Sequence, residues 1–296
     1  GRPELRRCLV LMLPAAYGMA VTQVNLVVDR FLASFLSGGS VSYLYYGNRL
    51  VQFPLGVFGI AIAVAAFPTL SHQAVAEERE AFRETLLHAG RLTLFILLPA
   101  TVGLVVLAEP IMDVLFRRGE FGPEATRGSA IALRYYAVGL VFFGGVKTLT
   151  SAFYSLQDTR TPVRYANRAV GANIVLNLLL MGPLKHGGLA LATSLASALN
   201  FALLARALRA RLGGLGARRA AVESWRLAVA ALLMGGLLWA FMAWAFDPLA
   251  ALPARAAVLG AGVVLGGGFY LLVCRALGCA ELREVERAAR KKMAAL

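Results

Sequence analysis

Side chains that perform covalent chemistry are scarce in this chain. Cys8, Cys274 and Cys279 are its three cysteines, too few and too widely spaced for a disulfide framework or a metal centre. Small apolar space-filling is the usual use of such residues. The three histidines, His72, His88 and His186, fall near the ends of apolar runs or in loops and share no metal-ligand spacing. The sequence has no Gly-x-Ser-x-Gly elbow, no Walker sequence and no paired carboxylates inside an apolar run. Their absence argues against an enzyme, and against ATP hydrolysis in particular. Zinc-finger and RNA-binding signatures are also missing, so nucleic acid is not an expected partner. Carboxylates are few: 16 Asp and Glu against 30 Lys and Arg give a formal net charge of +14. Residue 1 is glycine, not methionine, and residues 1–7 form a charged lead-in without a signal-peptide pattern. The expectation is a segment of a longer protein.

What the chain has in quantity is long apolar runs. It is 59% hydrophobic with a mean hydropathy of +0.68, and the apolar residues come in stretches long enough to cross a bilayer as helices. Eight spans are expected, at about 8–36, 41–70, 92–108, 129–156, 163–183, 189–208, 225–246 and 254–277. The second and third are separated by a polar amphipathic stretch (73–88), the third and fourth by a turn-rich segment (117–123). A basic Gly/Arg/Ala linker follows the sixth, and a charged helix at 280–292 closes the chain. The fold class is therefore an all-α polytopic membrane protein.

The cations are distributed unevenly over these loops. With eight spans both ends lie on one side, which collects Arg2, Arg6, Arg7, Arg79, Arg83, Arg91, Arg160, Arg164 and Arg168. Arg206, Arg209, Arg211, Arg218, Arg219, Arg226 and the tail add to it. The other side holds Arg117, Arg118, Arg127, Arg134, Lys185 and Arg255. Positive-inside bias makes the richer side, with both termini, cytoplasmic. Anionic membrane lipids are the expected contact of the linker cations.

Arg49 stands where a charge is expensive. It lies roughly nine residues into its span, about 13 Å at the helical rise, and residues 55–70 contain no ionisable side chain. An arginine at such depth costs about 2.5–3.5 kcal/mol on insertion scales and normally faces a bundle interior or wet cavity. The alternative is snorkelling to the interface.

The text Gln23-Val-Asn-Leu-Val-Val-Asp29-Arg30-Phe-Leu-Ala-Ser-Phe-Leu36, with Tyr43-Leu44-Tyr45-Tyr46 and Arg49-Leu50-Val51-Gln52-Phe53-Pro54-Leu55-Gly56, resembles the MurJ/MviN lipid II flippases. These belong to the multidrug/oligosaccharidyl-lipid/polysaccharide exporter superfamily. The blocks Tyr154-Ser155-Leu156-Gln157-Asp158-Thr159-Arg160-Thr161-Pro162 and Gly182-Pro183-Leu184-Lys185-His186-Gly187-Gly188 fit the same family. The resemblance implies two six-helix lobes and two extra C-terminal helices in the whole protein. This chain would supply the second lobe (1–208), a cytoplasmic linker (209–223), and the extra pair with its tail (224–296). It implies movement of lipid II, the undecaprenyl-pyrophosphate-linked peptidoglycan precursor, across the bacterial inner membrane by alternating access. The missing N-terminal lobe is then a partner, and cell-wall synthesis enzymes are further candidates. Other exporters of the superfamily, a membrane scaffold for such enzymes and a membrane glycosyltransferase are the competing readings.

A diphosphate needs cationic donors in a wet cavity, and arginine's planar fork suits phosphate oxygens. By resemblance Arg49 aligns with a cavity arginine. Family members often carry acidic residues directly before it and three positions after it, where this chain has Asn48 and Gln52. These four sites, Arg49, Asn48, Gln52 and the in-span Lys147, are the candidate substrate contacts. Lys147 has two readings, a cavity cation or a structural lysine reaching carbonyls or the interface. Asp29 is either neutralised by neighbouring Arg30 or joins Asn173, Asn177 and Thr193. The two asparagines share a helical face at i,i+4. Together these side chains offer oxygen ligands for a coupling cation, sodium or a proton; alternatively the amides are interhelical hydrogen-bond glue. Tyr43, Tyr45 and Tyr46 are cavity-lining or interfacial aromatics, and Gly56, Gly59, Gly144 and Gly145 hinges or packing residues.

Overall fold

A computed structural model describes residues 23, 25, 27–36, 38–213 and 217–283, with side chains beyond the linker from residue 224 onward. Arg2, Arg6, Arg7, Cys8, Arg218 and Arg219 as side chains, most of the first expected span and the expected helix beyond 283 lie outside this description. Within it every regular element is helical.

The helices are α1 (27–34), α2 (Ser40–Pro54), α3 (Ala61–Val75), α4 (Arg79–Val106), α5 (Ala108–Phe116) and α6 (Pro123–Val138). They continue as α7 (Leu140–Ser155), α8 (Arg160–Leu184), α9 (His186–Leu212), α10 (Ala217–Ala245) and α11 (Leu252–Ala276). Among the described residues, five apolar helical stretches are long enough to cross a membrane, or six if the bent α6–α7 pair is one span. The fifth expected span, α8, is long enough, but Asn167, Asn173 and Asn177 and a basic first half dilute its apolar character.

Local chemistry explains where these boundaries depart from the sequence expectation. The expected 41–70 run is one continuous helical stretch from Ser40 to Val75, interrupted by a π-helical turn, Leu55–Ile60, that starts straight after Pro54. Proline has no N–H to give the preceding turn, and a π-turn re-registers the ladder around that loss. The amphipathic 73–88 stretch is not a separate element. Its first part ends α3, Glu77 turns the chain at φ 58°, and the rest opens α4, so His88 sits well inside a helix. The expected 129–156 span is two helices bent by 42° at Gly139. There Ser194 Oγ of α9 donates to the Tyr135 carbonyl at 2.7 Å, supplying a partner to a backbone group at the break. A Cβ on Gly139 would lie 2.5 Å from that hydroxyl, so the kink and the close approach of α9 require glycine together.

Three apolar clusters hold the bundle. One joins α2, α4, α5, α6 and the start of α9 through Val51, Leu97, Met112, Leu133 and Leu189. A second joins α3, α4, α7 and α9 through Leu70, Phe82, Phe153 and Leu204. The third seats α10 and α11 on α4 through Phe95, Leu227, Met234, Leu238 and Tyr270, where the Tyr270 hydroxyl donates to the Phe95 carbonyl at 2.8 Å. The glycines at 59 and 144 serve packing: a Cβ on Gly59 would stand 3.5 Å from the Gly144 backbone, and one on Gly144 would run into Leu97. Gly56 has open space around it. Cys274 and Cys279 are buried free thiols.

Candidate functional site

Asp29, Asn173, Asn177 and Thr193 come together from α1, α8 and α9. Asp29, Asn173 and Asn177 are 5%, 1% and 0% exposed, so each must find its partners inside the protein. Asn177 Nδ2 donates to Asp29 Oδ1 at 2.7 Å and to Asn173 Oδ1 at 2.9 Å. Thr193 Oγ1 lies 3.3 Å from Asp29 Oδ2 and 3.0 Å from the Leu189 carbonyl. Asn173 Nδ2 reaches Thr193 Oγ1 at 3.4 Å. These bonds go to Asn177 and Thr193 and not to Arg30, so the local Asp–Arg pair is not what positions Asp29. Asn177 Oδ1 is buried without a hydrogen-bond partner. With the Asn173 amide turned over, its nitrogen donates to Asn25 Oδ1 at 2.9 Å and Asp29 Oδ1 at 3.1 Å, and its oxygen accepts from the Thr193 N–H at 3.2 Å.

The α8–α9 turn makes this convergence possible. Lys185 adopts φ 51°, and a Cβ on Gly188 would collide with the Leu180 backbone. The two helices thus return antiparallel at contact distance, which places the i,i+4 asparagine face of α8 against Thr193. At the other end of α8, Asp158 accepts from the Thr161 N–H (3.0 Å), the Thr161 hydroxyl (2.8 Å) and Arg211 (2.8 Å). Burial opposes ionisation of Asp158, but these donors prevail and hold its carboxyl below the usual range.

Arg49 is exposed on α2 beside Asn48 and Gln52. It donates to the Tyr45 hydroxyl at 2.9 Å, and Gln52 Nε2 donates to Asn48 Oδ1 at 3.2 Å. A cavity of about 440 Å³ is lined by Arg49, Asn48, Gln52 and Tyr45 on one side and by Asp29, Arg30 and Tyr136 on the other. The arginine and the carboxylate cluster therefore meet one space, a relation that no spacing in the sequence signals. Of the three neighbouring tyrosines only Tyr45 lines it. Tyr43 packs on His186 and Tyr46 on Phe116 and Phe121. Lys147 is exposed on α7, next to the buried Thr93–Thr148 contact between α4 and α7, and is not brought to the Arg49 cavity. Among the described residues no group of three or more His, Cys, Asp and Glu could hold a metal ion.

Asp113 escaped the sequence reading. Buried on α5, it accepts from Arg117 at 2.8 Å and from Arg255 of α11, and Arg117 also donates to the Pro248 carbonyl at 3.1 Å. In the sequence both arginines read as loop charges, and the one local signal is Asp113 itself, within the mostly apolar segment 108–116.

The family model described as lipid II flippase MurJ matches residues 2–252. The chain belongs to the lipid II flippase MurJ family. It is 41% identical over 277 residues to the "Probable lipid II flippase MurJ" of Vibrio cholerae, covering 93% of this chain and 53% of that one. The Rhizobium meliloti protein of the same name is 34% identical over 293 residues, covering 98% and 54%. The chain thus spans about half the length of these relatives. A solved structure, "Lipid II flippase MurJ, inward closed conformation", superposes with a TM-score of 0.73 at 25% identity, covering 92% of this chain and 55% of that one. A MATE transporter in its bent conformation gives a TM-score of 0.61 at 14% identity, which is a likeness of fold alone.

Proposed function

We propose that this chain is the second lobe, with the additional helix pair, of a transporter that moves lipid II across the bacterial inner membrane. The relatives' names support the substrate, and the single structural observation that supports the site is the cavity shared by Arg49 and Asp29. In this reading residues 1–208 form the lobe, 209–223 a cytoplasmic linker and 224–296 the extra pair and tail, with both ends cytoplasmic as the cation bias requires. The protein works as a transporter and not as an enzyme. Arg49 holds a diphosphate oxygen pair through its fork, with Asn48, Gln52 and Tyr45 as neutral donors and acceptors for the headgroup. Its further cations come from the other lobe once the lobes are assembled.

Asp29, Asn173, Asn177 and Thr193 fit a small monovalent cation or a proton. A carboxylate, two amide oxygens and a hydroxyl are hard ligands, and the orphaned Asn177 oxygen is the buried group that such a ligand would satisfy. Cation uptake therefore changes the charge of the cavity wall that faces Arg49.

The test is complementation of a flippase-depleted strain with the full-length protein. Arg49→Ala should abolish growth at normal protein level, and Arg49→Lys should restore it only in part, because a point charge replaces a bidentate fork. Full growth with Arg49→Ala at normal abundance would sink this role.

A further inference from the structure

A second cavity, of about 430 Å³, lies at the seam between the lobe and the α10–α11 pair, at the end of the bundle that carries the α5–α6 and α10–α11 loops. Its polar wall is α5 and the start of α6; its apolar wall includes Trp239, Met242, Phe246 and Leu249 of α10 and the following loop. It shares no lining residue with the Arg49 cavity.

The charges in this seam are unequally satisfied. Asp113 is fully engaged by Arg117 and Arg255. Glu109 stands alone against two guanidinium groups, 3.8 Å from Arg127 Nε and 3.8 Å from Arg134 Nη2. Both separations exceed hydrogen-bond length. Arg127 and Arg134 lie seven residues apart on one face of α6 and are 77% and 43% exposed, so their remaining N–H groups are available to an incoming anion. The helix they share begins at Pro123 with no side-chain cap on its first turn. Pro123 and Thr126 line the cavity, so the positive end of the helix adds to the same field. Three arginines line the cavity against two carboxylates.

The opposite wall says which anion. Trp239 is 69% exposed and Trp244, one turn and a residue further on, 86%. Exposed tryptophans near the end of an apolar helix mark the level of the headgroups. An anion entering here meets donors on α6 and an apolar strip on α10, which suits an amphiphile and wastes half the site on a free ion. We propose that the seam binds the phosphate of an anionic phospholipid, with an acyl chain along the Trp239–Met242 face, and that this lipid bridges the lobe to the helix pair.

The test uses the full-length protein, purified and titrated with phosphatidylglycerol or phosphatidylcholine under native mass spectrometry. A parallel series follows thermal unfolding with inorganic phosphate. The wild type should retain phosphatidylglycerol preferentially. Arg127→Gln/Arg134→Gln should reduce that preference about tenfold. Glu109→Gln, which removes the competing carboxylate, should increase it; a gain of binding cannot come from misfolding and decides the matter if the double variant folds poorly. Equal retention of the two lipids, an unchanged preference in a folded double variant, or weaker binding in Glu109→Gln would each overturn the proposal. Stabilisation by inorganic phosphate equal to that by phosphatidylglycerol would overturn the lipid and leave a free-anion site.

Discussion

Replacing Asn177 by leucine tests the buried cluster most directly, because the volume is nearly kept while every polar atom is lost. Two hydrogen bonds disappear, one to the Asp29 carboxylate at 2.7 Å and one to Asn173 at 2.9 Å. In water a bond to a charged group contributes about 1.5–3 kcal/mol and a neutral one about 0.5–1.5. Polar contacts between membrane helices average nearer 0.6 kcal/mol, with a ceiling of about 1.7. The ceiling applies to the charged contact and the average to the neutral one, so the expected loss is roughly 2–3 kcal/mol. For a chain of this size that is a fall of about 4–10 °C in the unfolding midpoint, measured on the purified full-length protein. The second arm is the double variant Asp29→Asn/Asn177→Leu. With the charge gone, the uncompensated carboxylate no longer penalises the fold, and the double variant should be more stable than Asn177→Leu alone. If the two substitutions simply add, Asp29 and Asn177 are not energetically coupled and the cluster argument fails.

Gly188→Ala should cost several kcal/mol, since its Cβ has no route past the Leu180 backbone; reduced abundance in the membrane checks it, and normal abundance would mean that α8 and α9 can separate freely. Asp113→Ala leaves Arg117 and Arg255 facing each other and should destabilise by about 2–4 kcal/mol, short of a fully buried pair because Arg117 keeps some solvent; Asp113→Ala/Arg255→Leu should recover part of that, and no recovery would show that the pair is not the cause. Asp158→Ala should cost about 1 kcal/mol at neutral pH, as a lost N-terminal cap does. Its folded pKa is depressed, so its contribution is complete above the ordinary carboxylate pKa near 4 and is lost as pH falls through the folded value. The wild type should therefore converge on the variant in strong acid; a difference that persists unchanged there would refute the cap.

What the sequence determined by itself follows from local and one-dimensional physics. Apolar run length against bilayer thickness set the class, loop cations set the expected orientation, and a charge inside an apolar run singled out Arg49. The i,i+4 spacing put Asn173 and Asn177 on one face. The family blocks, which carry Asp158 with Thr161 and the Lys185–Gly188 turn, mark the two ends of α8, where local bonding and backbone geometry are most restrictive. Tertiary structure decided everything that depends on which distant faces meet. Asp29 and Asn177 are 148 residues apart, and no periodicity says that α1 offers its carboxylate to α8. Asp113 and Arg255 are 142 apart, so two arginines that read as loop charges became the clasp of the helix pair. The break at Gly139 depends on a serine of α9 reaching back to a carbonyl of α6. Helix positions follow from chain-local energetics, whereas the pairing of buried polar groups follows from the requirement that each be satisfied by whatever the packed neighbours present. That requirement is imposed only once the helices have been brought together.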